Sequence, residues 1–93
     1  MANTLKINPK DNVVVALSDL PAGARLSWDG NMDGELAALE DIPFGHKVAI
    51  VPIVKGAPVI KYGANIGVAT QDIAPGQHVH SHNLATVRGA ARA

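Results

Sequence analysis

Apolar residues along this chain fall in short runs, and the polar stretches between them repeat one arrangement, Asp-(Leu/Ile)-x-x-Gly-x-x-(Val/Leu). It reads DLPAGARL at 19–26, DIPFGHKV at 41–48 and DIAPGQHV at 72–79. A fourth copy, PIVKGAPV at 52–59, keeps the glycine and the apolar ends but has proline in place of aspartate. Each copy is expected to be a turn unit. The aspartate bonds backbone groups ahead of it, the next residue enters the core, and the glycine takes a positive φ. A β-carbon at Gly45, Gly56 or Gly76 is expected to find no room.

The runs between these units predict strands. Residues 13–17 are apolar and β-branched between Asp11-Asn12 and the first unit, which suits a buried strand. Residues 26–28 form a second short run, stopped by Asp29-Gly30 and a loop-like cluster at 31–34. Segment 35–40 has helix-favouring composition but is too short to stand alone, and it reads as strand or irregular. Strands are predicted at 47–51, with Pro52 ending it, at 59–62, at 66–70 and from about His78. Gly63 and Gly67 suggest a tight turn and a close backbone approach. Past Asn83 the sequence is small and basic and reads as a flexible tail or linker stump, which sets one domain at 1–84 and a tail at 85–93. Short, evenly spaced strands of this kind predict a small all-β domain, barrel-like or Greek-key-like.

Composition narrows the class. In 93 residues, 47% are hydrophobic but only three are aromatic, so the core is Val, Ile, Leu and Ala. Cysteine is absent, which removes disulfides and thiolate metal sites. The first dozen residues lack the apolar core of a signal peptide, and no apolar run reaches the roughly 18 to 20 residues of a membrane span. A cytoplasmic protein with no membrane partner is expected. Net charge is zero but unevenly placed: three basic and seven acidic residues precede His46, and five basic residues against Asp72 alone follow from there. The basic half suits a small anion and is too weak and too aromatic-poor for nucleic acid.

Candidate chemistry concentrates at 78–83, His-Val-His-Ser-His-Asn. On an extended strand His78, His80 and His82 would share one face, where imidazoles can bind a metal, move protons or hold an anion. The alternative is that one or two of them close the end of the barrel and the third is exposed. His46 lies inside a turn unit, Lys47 begins a strand, and Lys61 with Tyr62 precedes a glycine turn. No nucleophile elbow, Walker loop, zinc-finger spacing or calcium loop occurs. Complete catalysis by this chain alone is not expected.

Residues 41–84 resemble the SAF domain of the altronate and galactarate dehydratase family. The matching motifs are Ile-Pro-x-Gly-His-Lys-Val-Ala at 42–49, Gly-x-Pro-Val-Ile-Lys-Tyr-Gly at 56–63, Ile-Gly-x-Ala-Thr at 66–70 and Val-His-x-His-Asn at 79–83. The resemblance implies a β-clip fold, also seen in antifreeze-like domains. It implies an accessory small subunit whose large, dehydratase-type catalytic partner carries a divalent metal, typically iron, as in the two-subunit sulfolactate sulfo-lyases. A truncated fused enzyme would read the same way. The implied reaction is loss of water or sulfite from an anionic hydroxy acid. His80 and His82 are then the candidate catalytic residues, and Asn83, His46 and Lys61 the candidate substrate contacts. Substrate contact is favoured over metal ligation in this chain. A non-catalytic saccharide- or partner-binding module is the competing class, and the sequence leaves a homo-oligomer open.

Overall fold

In the computed structural model, which describes residues 2–86, the repeated unit closes the same way four times. Ala24 N donates to Pro21 O, His46 N to Pro43 O, Ala57 N to Val54 O and Gln77 N to Ala74 O, all at 2.9–3.0 Å. The glycine before each donor has φ between 82° and 90°. That combination is a type II turn, which needs positive φ at its third residue.

The units then pair, first with second and third with fourth. Leu20 and Ile42 exchange two backbone hydrogen bonds, as do Ile53 and Ile73. The aspartates do not cap the chain just ahead of them, as expected from sequence; they reach across the pair. Asp19 Oδ1 accepts from Phe44 N, Asp41 Oδ1 from Ala22 N and Asp72 Oδ1 from Lys55 N, at 2.8–2.9 Å. An alanine three residues before each unit completes the pattern. Gly23 N donates to Ala38 O, Gly45 N to Ala16 O, Gly56 N to Ala69 O and Gly76 N to Ala49 O. All four alanines are buried.

Around these turns lie only short antiparallel strands, and no helix occurs among the described residues. They are β1 (Thr4–Leu5), β2 (Val13–Ala16), β3 (Lys47–Ala49), β4 (Pro58–Lys61), β5 (Ala64–Ala69), β6 (His78–Val79) and β7 (Leu84–Thr86). One sheet has the order β1-β2-β3-β6, the other β4-β5-β7. The small all-β domain is as predicted. Segment 26–28 forms no ladder strand: Trp28 pairs only with Asn31 across a two-residue turn, and Arg25 with Ala37. Strand β7 extends the folded body past the expected boundary at Leu84. Ala85 and Thr86 pair with Val68 and Gly67 while Leu84 is buried, so hydrogen bonding and burial outweigh the tail-like composition. The rest of the expected tail, 87–93, lies outside the described residues.

Two cores result, one per pair of turn units. The first holds Val14, Ala16, Leu20, Leu26, Trp28, Ala38, Ile42 and Val48. The second holds Val13, Ala49, Ile53, Val59, Ala69, Ile73, Val79 and Leu84. Crowding at the turn glycines is confined to one of the three named from sequence. A β-carbon at Gly45 or Gly56 would meet nothing within 4 Å, whereas at Gly76 it would overlap the Ala37 carbonyl oxygen. Gly67 makes the close approach expected of it, against the Ala85 backbone.

Candidate functional site

The site is built where β3 and β6 run side by side. Register pairs Lys47 with Val79 and Val48 with His78, so the next step places His46 opposite His80. Pleating puts His46, His78 and His80 on the face shared with Val48. The rings of His46 and His80 stack with centroids 4.5 Å apart and planes 7° from parallel. His78 stacks at 5.0 Å from His46, and its Nε2 lies 2.9 Å from His46 Nδ1, a hydrogen bond. His82 lies 5.5 Å from His78, tilted by 46°. Four histidines therefore form one cluster.

The strand does not continue to His82. It ends at Val79, and the chain turns over 81–83 because Asn83 holds it. Asn83 is 0% exposed: its Oδ1 accepts from His80 N at 2.9 Å and its Nδ2 donates to the His78 carbonyl at 2.9 Å. Its backbone N–H also bonds His80 O at 3.0 Å. Expected as a substrate contact, Asn83 is instead the buried brace beneath the histidines. His80 and His82 are exposed at the turn, and His46 and His78 are half-buried.

One lysine, Lys47, acts on the cluster through His80, and a second, Lys61, acts on Lys47. Burial and then the Lys61 ammonium hold Lys47 below the ordinary lysine range, which brings these two lysines of β3 and β4 into one field. Lys61 also lies 4.8 Å above the Tyr62 ring. Burial first, then His46, His82 and His80, lower His78, against an opposing pull from Glu40. Loss of water against its neighbours, then His46, Lys47 and His82, lower His80 as well. His78 and His80, whose protonated forms are disfavoured, suit proton exchange with an anion.

Glu40 was not singled out from sequence. Its Oε2 accepts from the His78 backbone N–H at 3.0 Å, and no spacing rule signals a contact that depends on the β3–β6 pairing. Among the described residues no three His, Asp or Glu side chains converge as metal ligands, and the His46–His78 bond ties up two of the nitrogens that could serve. The resemblance assigns the iron to the large partner rather than to these residues, and no step below is routed through it. An open cavity of about 530 Å³ around Trp28, Lys6 and Glu35 contains none of the candidate site residues.

Comparison with known proteins places this geometry in a family. Residues 2–87 match the model of the altronate/galactarate dehydratase SAF domain. The chain is 49% identical to altronate dehydratase of Escherichia coli over 82 residues, 88% of this chain but 16% of that protein. It is 48% identical to (2R)-sulfolactate sulfo-lyase subunit alpha of Paracoccus pantotrophus over 58 residues, 62% of this chain and 87% of that subunit. The corresponding subunit of Chromohalobacter salexigens is 40% identical over 78 residues, 81% of this chain and 83% of the subunit. The chain thus spans about a sixth of the dehydratase and most of the lyase subunit. By its matched length and these identities, it belongs to the altronate/galactarate dehydratase SAF-domain family.

Proposed function

We propose that this chain is the accessory SAF component of a lyase that removes water from a sugar acid, or sulfite from a sulfonated hydroxy acid. It contributes part of a site shared with a large dehydratase-type partner, to which the divalent metal would belong. The observation that carries this reading is the histidine cluster of His46, His78, His80 and His82, with Lys47 acting on His80, on a chain similar to a lyase subunit.

The chemistry asks for such a surface. The proton on the carbon bearing the carboxylate leaves to a base, the carbon–oxygen or carbon–sulfur bond on the next carbon breaks, and the enol acid formed tautomerises to a 2-oxo acid. Negative charge grows on the substrate carboxylate in the first step, and nearby cations stabilise it. Lys61 and Lys47 supply that field. His80 and His82, the exposed imidazoles, meet the substrate, with half-buried His46 stacked beside His80. Asn83 fixes the turn that presents them.

The test is reconstitution. The chain, purified with a large dehydratase-type subunit, is assayed against altronate, galactarate and sulfolactate for 2-oxo acid and sulfite release. Activity of the pair and none of either chain alone supports the reading. Full activity of the large subunit without this chain returns it to the class of non-catalytic binding modules.

A further inference from the structure

The half-buried histidines invite a question that the exposed ones do not. His46 Nδ1 and His78 Nε2 are 2.9 Å apart, and a hydrogen bond at that distance contains one proton. If both nitrogens carried hydrogen, two N–H groups would point at each other. The intact pair is thus either neutral or singly charged. Among the described residues no protein group is bonded to His46 Nε2, the nitrogen on the other side of that ring.

We propose that His46 and His78 form a one-proton dyad in which His78 is a positioning residue: its Nε2 accepts from His46 Nδ1–H, leaving His46 Nε2 to exchange a proton with the substrate. This rests on the lyase reading above and deepens it. The dyad has two working states. In the neutral state His46 carries hydrogen at Nδ1 and offers a lone pair at Nε2. In the charged state it carries hydrogen at both nitrogens, and the bond to His78 persists in both. A base held by an acceptor in this way keeps one tautomer and one ring orientation through a proton transfer.

The surroundings of His78 weigh against a charge on its ring. His78 faces His46, His80 and His82 as well as Glu40, and burial with those imidazoles disfavours its cation more than Glu40 favours it. Within the pair, a proton on His78 is the disfavoured arrangement. Stacking against His80 at 7° holds the His46 plane from a second side, and Lys47 acts on His80 next to it. Nothing in the row of three histidines indicates this partition. It arises because β3 brings a fourth histidine, from a different turn unit, against β6.

Nitrogen-15 NMR of the isolated chain tests the dyad without any activity. Above the titration of the pair, His46 is expected as the Nδ1–H tautomer with Nε2 unprotonated, and His78 with an unprotonated Nε2 accepting the bond. An Nε2–H tautomer at His46 in the wild-type chain overturns the proposal, whatever the variants do. His78→Gln, whose carbonyl can still accept, should keep the His46 tautomer, and His78→Leu should lose it; an unchanged tautomer in His78→Leu also overturns the proposal. In the reconstituted lyase, His46→Gln should lower kcat by roughly 100-fold or more. His78→Leu should lower kcat about ten-fold with KM nearly unchanged and reshape the acid limb of the pH profile, and His78→Gln should restore most of the loss. Wild-type kcat in His46→Gln sinks the proton-transfer role while the lyase reading stands. An inactive complex whose chain still shows the tautomer sinks the lyase reading, and with it the substrate role of His46.

Discussion

Pro52 stands opposite Pro75 across the Ile53–Ile73 bridge, in the register by which Asp19 reaches Phe44 and Asp41 reaches Ala22 across the Leu20–Ile42 bridge. In every other crossing a carboxylate at the head of one unit accepts from the fourth N–H of its partner. Proline has no N–H, so an aspartate at 52 would have nothing to accept. The missing carboxylate of the third unit is explained by the residue it would have met.

Restoring the pair should therefore require both changes. Pro52→Asp alone is expected to leave stability unchanged or lower. Combined with Pro75→Ala, which supplies the donor, it should show favourable coupling of about 0.5–1.5 kcal/mol in a double-mutant cycle by urea unfolding. Strict additivity would remove the crossing as a source of stability.

The turn glycines should separate into two groups. Gly45→Ala and Gly56→Ala meet open space and lose only the positive-φ term, about 1 kcal/mol. Gly76→Ala adds overlap with the Ala37 carbonyl and a 3.2 Å contact with Leu39 Cγ, and should cost clearly more. Equal melting temperatures for the three variants would contradict this division.

Much of this was legible along the chain because a type II turn demands glycine at one place, so the four copies announce themselves. Strand β2 was readable from β-branching alone. The pairing of units was not, since Asp19 and Phe44 are 25 residues apart and nothing local links them. The buried alanines at 16, 38, 49 and 69 are part of the repeat but look like ordinary small residues until the partner turn is in place. At the site, alternation correctly put His78 and His80 on one face. It failed past His80 because Asn83, a polar residue that sequence reading sends to the surface, is bonded on both sides of its amide and turns the chain.

Removing that brace should affect folding before chemistry. Asn83→Ala leaves the His80 N–H and His78 carbonyl without their buried partner and is expected to cost about 1–3 kcal/mol by thermal melt. His80→Ala with His82→Ala, both exposed, should cost within about 0.5 kcal/mol each while lowering reconstituted turnover roughly 100-fold or more. Turnover at the wild-type level in that double variant would take both imidazoles out of the reaction.

Acid should expose a different support. Burial alone would raise the pKa of Asp11, but the backbone N–H groups of Gly63, Asn8, Tyr62 and Ile7 outweigh it and the result lies below the ordinary range. Gly63 N, at 2.7 Å, follows Tyr62, whose φ is +57°. A carboxylate with a depressed folded pKa stabilises fully above its unfolded value and loses that contribution as pH falls toward the folded one. The melting temperature should decline below about pH 4, and Asp11→Asn should be less stable at neutral pH with a shallower decline. A variant whose decline matches the wild type would assign the acid sensitivity elsewhere.

Strands β2 and β3 each give neighbouring residues to different cores: Val13 and Ala49 to one, Val14 and Val48 to the other. The two halves thus share a party wall one strand thick, with no layer of their own between them. Neither half can melt and leave the other a finished surface, so calorimetric unfolding is expected as one cooperative transition. A substitution at Ile73, in the second core, should therefore weaken one face of that wall and disturb the histidines that β3 and β6 hold on the other.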